Sequence, residues 1–339
     1  MFGGRRSNRP PNTQIEEGIV ATSAVSKPVA TAGRSRGFWA QLLFNAWTYR
    51  YLYLMLVLPF VFFAVFRFYP MWGNVIAFKK YQLMHGIWGS QWVGLKHFNT
   101  LFDDPAFLRV LRNTVSIAFF KMLFTFPAPI ILALFVNEVR HMAYKRFVQT
   151  VVYVPHFLSW VIYGAILYIV LSPANGIVNN IISSFGLEKI AFFQKPGYFQ
   201  PIVIISSLLK ETGWAAIIYL ATISTIDLTL YEAAIIDGAN RWQLMRYVTL
   251  PGLAMTIVTL FILQIGFFLN VGFEQIFILQ NNMVLTTADV IETFIYRVGI
   301  RQARFDFTTA AGLFNGLVGM VLVLLADRLA KRWDLPGIF

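Results

Sequence analysis

Six runs of mostly apolar residues divide this chain, each near the roughly 20 residues that a helix needs to cross a bilayer. They extend from Tyr51 to Tyr69, Asn113 to Val136, Val148 to Leu171, Pro201 to Ile226, Leu253 to Phe273 and Thr308 to Ala326. They predict an all-α polytopic membrane protein with six transmembrane helices. Among the connections, Asp103-Asp104-Pro105 reads as a helix start, with Pro at the first helical position and acidic groups at the positive helix end. Ser172 to Gln200 reads as a loop rich in Pro and Gly. Ala288 to Gly299 predicts a short helix on the outer membrane surface, with Val290, Phe294 and Arg297 near one face and Ile291, Ile295 and Val298 near another. Phe38 to Arg50 fits either an interfacial amphipathic helix or an extension of the first span.

Composition agrees: 57% of the 339 residues are hydrophobic, 13% are charged, and the mean hydropathy is +0.61. Charge adds a direction. Arg5, Arg6, Arg9, Lys27, Arg34, Arg36 and Arg50 precede the first span, Arg140, Lys145 and Arg146 follow the second, and Arg328, Lys331 and Arg332 follow the sixth. By the positive-inside rule both termini and the loop between the fourth and fifth spans face the cytoplasm. The net charge of +12 is spread over membrane-flanking loops instead of gathered on one stripe, so it points to the lipid bilayer and not to nucleic acid. The chain has no cysteine, which excludes disulfides and thiolate metal sites. Residues 1–37 are long, polar and without an apolar core, and read as a disordered cytoplasmic tail rather than a signal peptide, with 38–339 as the membrane domain.

The polar interruption at Glu232 to Pro251, EAAIIDGANRWQLMRYVTLP, carries the mechanism. Thr229 and Glu232 fit a capping box that starts a helix, and Gly238 suits its left-handed end. Asn240 suits the cap of a second helix over Arg241 to Val248, before Pro251 restarts the chain as the fifth span. Small Ala233 and Ala234 allow close approach by another protein, and Leu230, Ile235, Trp242 and Met245 offer it apolar surface. In the alternative, Glu232 caps only its own helix and these residues pack under the spans.

The spacing met by Glu232, Ala233, Ala234, Gly238, Val248, Leu250 and Pro251 resembles the EAA loop of permease subunits of binding-protein-dependent ABC importers. Val248 stands where that pattern most often has Ile. Trp92 to Thr114, with W-V-G-L, D-P-x-F and N-T elements, and Ala288 to Gly299, with T-x-x-Y-R-x-G, are similar to the carbohydrate branch, which includes the maltose importer's membrane subunits and polysaccharide permeases. The resemblance covers about Tyr51 to Phe339. It implies a type I ABC importer permease fold in a bacterial cytoplasmic membrane, with loop 229–251 seated as coupling helices in a cytoplasmic ATPase dimer. It also implies a second, related permease subunit, an extracytoplasmic solute-binding protein and a sugar substrate. The chain holds no Gly-Lys dipeptide and hence no P-loop of the G-x-x-x-x-G-K type, so ATP and Mg belong to the partner and no cofactor is expected here.

Ionisable residues inside a span usually face the bundle interior or a water-filled path. Lys210 and Glu211 lie centrally in the fourth span, either bordering a pathway or holding helices together, and adjacent helix positions favour partners on other helices. In the resembling maltose-type permeases the fourth and fifth spans line the sugar site, and the positions here are Glu211, Trp214, Gln264, Phe268 and Asn270. Aromatic faces and amides suit sugars, although Phe268 is apolar where an amide is expected. Trp160, Tyr219 and Asn113 are further candidates. Lys121 and Lys210, if both faced the path, would favour an acidic sugar. The four histidines lack metal-ligand spacing, and no catalytic cluster stands out. The competing class is an ion-coupled secondary transporter, for which Glu211 is the one central carboxylate.

Overall fold

In a computed structural model, residues 44–45 and 47–332 are described. The tail expected at 1–37 lies outside them, as do residues 38–43 and Ala46 of the segment expected from Phe38 to Arg50, and the chain beyond Arg332. The first unit, ending at Phe68, contains helix α1 (Arg50–Phe63) and a wider turn to Phe68, with no buried side chain among its described residues. In lipid such exposure is no defect, because hydrocarbon tails solvate Leu and Phe as well as a neighbouring helix does.

The second unit begins at Tyr69 and is almost entirely helical. One short pairing, β1 (Lys79–Lys80) with β2 (Gln91–Trp92), closes a hairpin. Helix α2 (Lys96–Asp103) ends at Asp104, which caps α3 (Pro105–Thr125) by accepting the Ala106 N–H at 2.8 Å, so the helix start read from Asp104-Pro105 is where it was expected. Then come α4 (Pro127–Glu138), α5 (Met142–Phe157), α6 (Trp160–Val170) and α7 (Ile177–Ser184). The remainder is α8 (Pro196–Ile223), α9 (Leu228–Ile236), α10 (Arg241–Leu244), α11 (Ala254–Gly266), α12 (Phe273–Leu279), α13 (Ile291–Phe294) and α14 (Phe305–Arg332).

Four segments are long and apolar enough to span a membrane unbroken, and two bent pairs bring the total to the six expected. The bends differ from the sequence reading. The third span turns by 106° between α5 and α6, and the fifth by 57° between residues 241–252 and α11. Pro155 lacks an amide to continue the α5 ladder, Leu158 is extended, and Ser159 recaps the chain by accepting the Ile162 N–H at 3.3 Å. The fifth span also stops at Gly266, so Phe268 and Asn270 lie on non-helical chain instead of inside a helix reaching Phe273.

Two outward readings need correction. The loop at Ser172 to Gln200 contains α7 and is stapled by buried Asn179, whose amide donates to the carbonyls of Leu171, Ser172 and Ile190 and accepts the Ile190 N–H. The segment at Ala288 to Gly299 opens on the last residue of a short helix (Leu285–Ala288), is extended over Asp289 and Val290, is helical again from Ile291, and does not lie on the surface. Ile291, Phe294 and Val298 are buried against Leu101, Phe107, Val110 and Phe307, and Val290 is buried in a second cluster with Ile117, Ala118 and Ala288. Asn113 donates to the carbonyls of Thr286 and Asp289, Thr114 accepts the Ile291 N–H, and Asp289 pairs with Arg297, which satisfies polar groups where lipid offers none. Asn113 is thereby occupied in holding the fold.

Candidate functional site

The loop between the fourth and fifth spans forms two clasped helices. α9 is capped by Asp227, whose carboxylate accepts the Thr229 N–H at 2.9 Å, two residues earlier than the cap expected at Thr229. An acidic cap already holds the free amides, so Thr229 falls within the first turn. The Thr229 amide and hydroxyl hold the Asp227 carboxyl below the usual carboxylate range. This cap is present above the ordinary aspartate pKa and is lost only as pH falls through the lowered value.

Gly238 has φ +83°, and α9 closes there with Gly238 N–H donating to Ile235 at 3.0 Å and Ala239 N–H to Ala234 at 2.9 Å. This paired closure needs a left-handed residue. Asn240 and Gln243 then form the reciprocal cap of α10, with bonds of 2.9 and 2.7 Å. The turn widens over Met245–Thr249 and continues through Leu250–Gly252 to α11. Tyr231 and Thr249 join the two arms, hydroxyl to hydroxyl, at 2.9 Å.

What these helices present is apolar. Leu228, Leu230, Ile235, Trp242 and Tyr247 are all exposed, and Ile236 is 85% exposed, so they do not pack under their own spans; Met245 alone of the expected surface turns partly inward. Glu232, Ala233, Leu250 and Pro251 are exposed beside them and Ala234 is half-buried. Among the described residues the Glu232 carboxylate has no hydrogen-bond or ion-pair partner, which leaves it available to another chain.

The residues expected along a pathway fall into two groups. Lys210 is buried at 4% exposure and donates to the carbonyls of His156 at 2.7 Å and Pro155 at 3.3 Å, the free end of α5 at the bend. Its ammonium lies 3.8 Å from Glu211 and over the Trp160 ring at 5.3 Å. Glu211, about half-buried, binds His156 Nδ1 at 2.8 Å, and the imidazole stacks on Trp214 at 4.6 Å. Lys210 and Glu211 thus share a partner on another helix, α5, as their adjacent positions suggested, and also touch each other, which those positions did not favour. His156 is the member that sequence reasoning missed; its signal was a histidine beside Pro155 in an apolar run. Tyr219 is buried with Ile130, Ala133 and Leu253. Lys210→Met is expected to destabilise the purified protein by roughly 1–3 kcal/mol, because the carbonyls lose a charged donor and Glu211 its lysine partner. Thermal unfolding in detergent reads this out, and an unchanged midpoint would assign the bend to Pro155 alone.

The second group lines a cavity of about 130 Å³, where Gln264, Phe268 and Asn270 meet Lys121 and Thr125. Asn270 accepts from the Asn315 amide at 2.9 Å. The six pathway positions therefore do not share one chamber: Lys210, Glu211 and Trp214 gather at the α5 bend, and the other three at the end of the fifth span.

Comparison with known proteins places this architecture. Residues 125–334 match the model of the binding-protein-dependent transport system inner membrane component family. Protein LplB of Bacillus subtilis is 44% identical over 92% of this chain and 97% of its own. The polygalacturonan/rhamnogalacturonan transport system permease protein YteP of the same organism is 44% identical over 88% of this chain and 93% of its own. The crystal structure of a bacterial ABC transporter involved in the import of the acidic polysaccharide alginate contains a chain that is 42% identical, with a TM-score of 0.80 over 86% of this chain and 99% of that one. A crystal structure of a bacterial alginate ABC transporter in complex with a periplasmic protein bound to alginate pentasaccharide gives 0.82, over 88% and 100%. These relatives set aside the ion-coupled alternative. The chain belongs to the inner membrane components of binding-protein-dependent transport systems, and is the multi-pass permease of an ABC importer rather than its ATPase.

Proposed function

We propose that this permease forms one half of a pathway for acidic oligosaccharides across a bacterial cytoplasmic membrane. A second, related permease completes the pathway, an extracytoplasmic binding protein delivers the sugar, and a cytoplasmic ATPase dimer holding ATP and Mg drives it. The observation that carries the substrate class is the likeness to the alginate importer over 86% of this chain, seconded by the permease for polygalacturonan and rhamnogalacturonan. The observation that supports coupling is the bare apolar face of α9 and α10 around Glu232, which has no partner among the described residues. Closure of the ATPase dimer would move these helices as a unit with α8 and α11 and so rock the spans between inward and outward arrangements.

The test is ATP hydrolysis by the reconstituted complex with its binding protein. Uronate oligosaccharides are expected to stimulate hydrolysis and to appear inside proteoliposomes. Stimulation by neutral oligosaccharides with none by uronates would overturn the acidic class, and uptake without any ATPase would overturn the coupling.

A further inference from the structure

Lys121, in α3, stands beside the second group of pathway residues and is held differently from Lys210. Its ammonium donates to the Val271 carbonyl at 2.9 Å and to Gln275 Oε1 at 3.1 Å. Val271 lies on the non-helical chain between α11 and α12, so Lys121 reaches the kind of helix break at which transporters place ligand-binding backbone. Gln275 is fully buried and fixed in turn, donating to the Val203 carbonyl at 2.7 Å and Ser206 Oγ at 2.9 Å while accepting from Ser207 at 2.8 Å. The ammonium is therefore set in a rigid frame of neutral oxygens.

Among the described residues that frame holds no carboxylate within ion-pair distance. An ammonium has three donors, and these two acceptors use two of them. Lys210 has Glu211 at 3.8 Å, whereas among the described residues no carboxylate forms an ion pair with Lys121. Glu211 and Glu292 act on it only through longer-range attraction. An intramembrane cation with no carboxylate in contact is costly, and a bound anion offsets that cost. Lys121 is partly exposed to the cavity shared with the amides of Gln264 and Asn270 and the ring of Phe268. The space of about 130 Å³ equals only a few waters, which admits a carboxylate group and not a whole oligosaccharide.

We propose that Lys121 is the specificity-determining residue that reads a carboxylate on the transported sugar, while Lys210 serves the fold. This rests on the acidic substrate class proposed above. In passage, a uronate carboxylate takes the third N–H of Lys121 while the neighbouring amides pair with hydroxyls and Phe268 covers an apolar sugar face. A neutral sugar leaves the cation uncompensated, so discrimination comes as much from the penalty on the wrong ligand as from attraction to the right one.

The experiment measures uptake of a galacturonate trisaccharide and of its methyl ester by the complete complex, with its binding protein, in proteoliposomes. Relative to wild type, Lys121→Met is expected to lower the acid-to-ester uptake ratio roughly ten- to a hundredfold, the range for a hydrogen bond to a charged group. Lys121→Arg is expected to retain most of the preference. A merely structural lysine would lower both rates together, so a ratio equal to wild type in Lys121→Met overturns the assignment. If Lys121→Met does not assemble, Lys121→Gln takes its place, and the same collapse of the ratio is required. Wild-type complex that does not import the acid would instead overturn the substrate class, and the Lys121 assignment with it.

Discussion

Gly238→Pro is expected to cut ligand-stimulated ATP hydrolysis and uptake at least tenfold while the complex still assembles. Gly238 has φ +83°, and proline is locked near −65°, so the bend between α9 and α10 cannot form as it stands. Proline also removes the N–H that donates to Ile235 at 3.0 Å. Backbone strain of roughly 1–3 kcal/mol and a lost closure bond together exceed the tenfold equivalent of about 1.4 kcal/mol. The damage is local, because Gly238 is exposed and a Cβ there would meet no neighbour; the spans keep their packing. Misaligned coupling helices should therefore separate assembly, read by co-purification of all subunits, from stimulated hydrolysis. Full stimulation in the variant would show that the bend does not set the coupling geometry. Glu232→Lys probes the same contact by charge alone and should lower stimulation without disturbing α9.

Gly213→Ala is expected to reduce the yield of assembled complex and lower its thermal midpoint, the largest fold effect of any single methyl group here. α8 approaches α5 so closely that a Cβ at Gly213 would collide with the Val152 carbonyl, which is backbone and cannot rotate away. Overpacking typically costs roughly 1–3 kcal/mol, and a backbone contact sits at the upper end. The same approach brings Lys210 to the carbonyls of Pro155 and His156, so separating the helices would also uncap the bend. Close contact through a small residue is how membrane helices gain packing without a hydrophobic drive. A midpoint equal to wild type would show that α5 shifts at little cost.

Much of the fold was legible in the chain because lipid imposes a simple rule. Apolar runs near 20 residues must be helical to satisfy their own amides, and the six expected runs return as four unbroken spans and two bent ones. Asp104-Pro105, Gly238 and Asn240 were readable for the same reason, since each acts on backbone within a few residues of itself. The cap at Asp227 was missed because Thr229 and Glu232 also satisfy a local rule, and only the relaxed geometry chooses between them. The bend at Leu158 was missed because Pro155 permits a continuous kinked helix as readily as a break. A lysine 55 positions later in the chain caps that break.

The candidate sites divide along the same line. The chain alone determined that the protein spans a membrane and carries a polar, Gly-hinged loop between its fourth and fifth spans, because hydropathy and capping depend on neighbours in sequence, and the spacing within that loop carried the resemblance to importer permeases. Only the tertiary structure decided that Lys210 is enclosed by carbonyls at the α5 bend while Lys121, nearly 90 residues earlier, stands beside a cavity without an ion-pair partner among the described residues. The two lysines look alike in sequence because each is a single charge in an apolar run. What distinguishes them is which distant oxygens surround the ammonium, and that follows from helices brought together across the bundle.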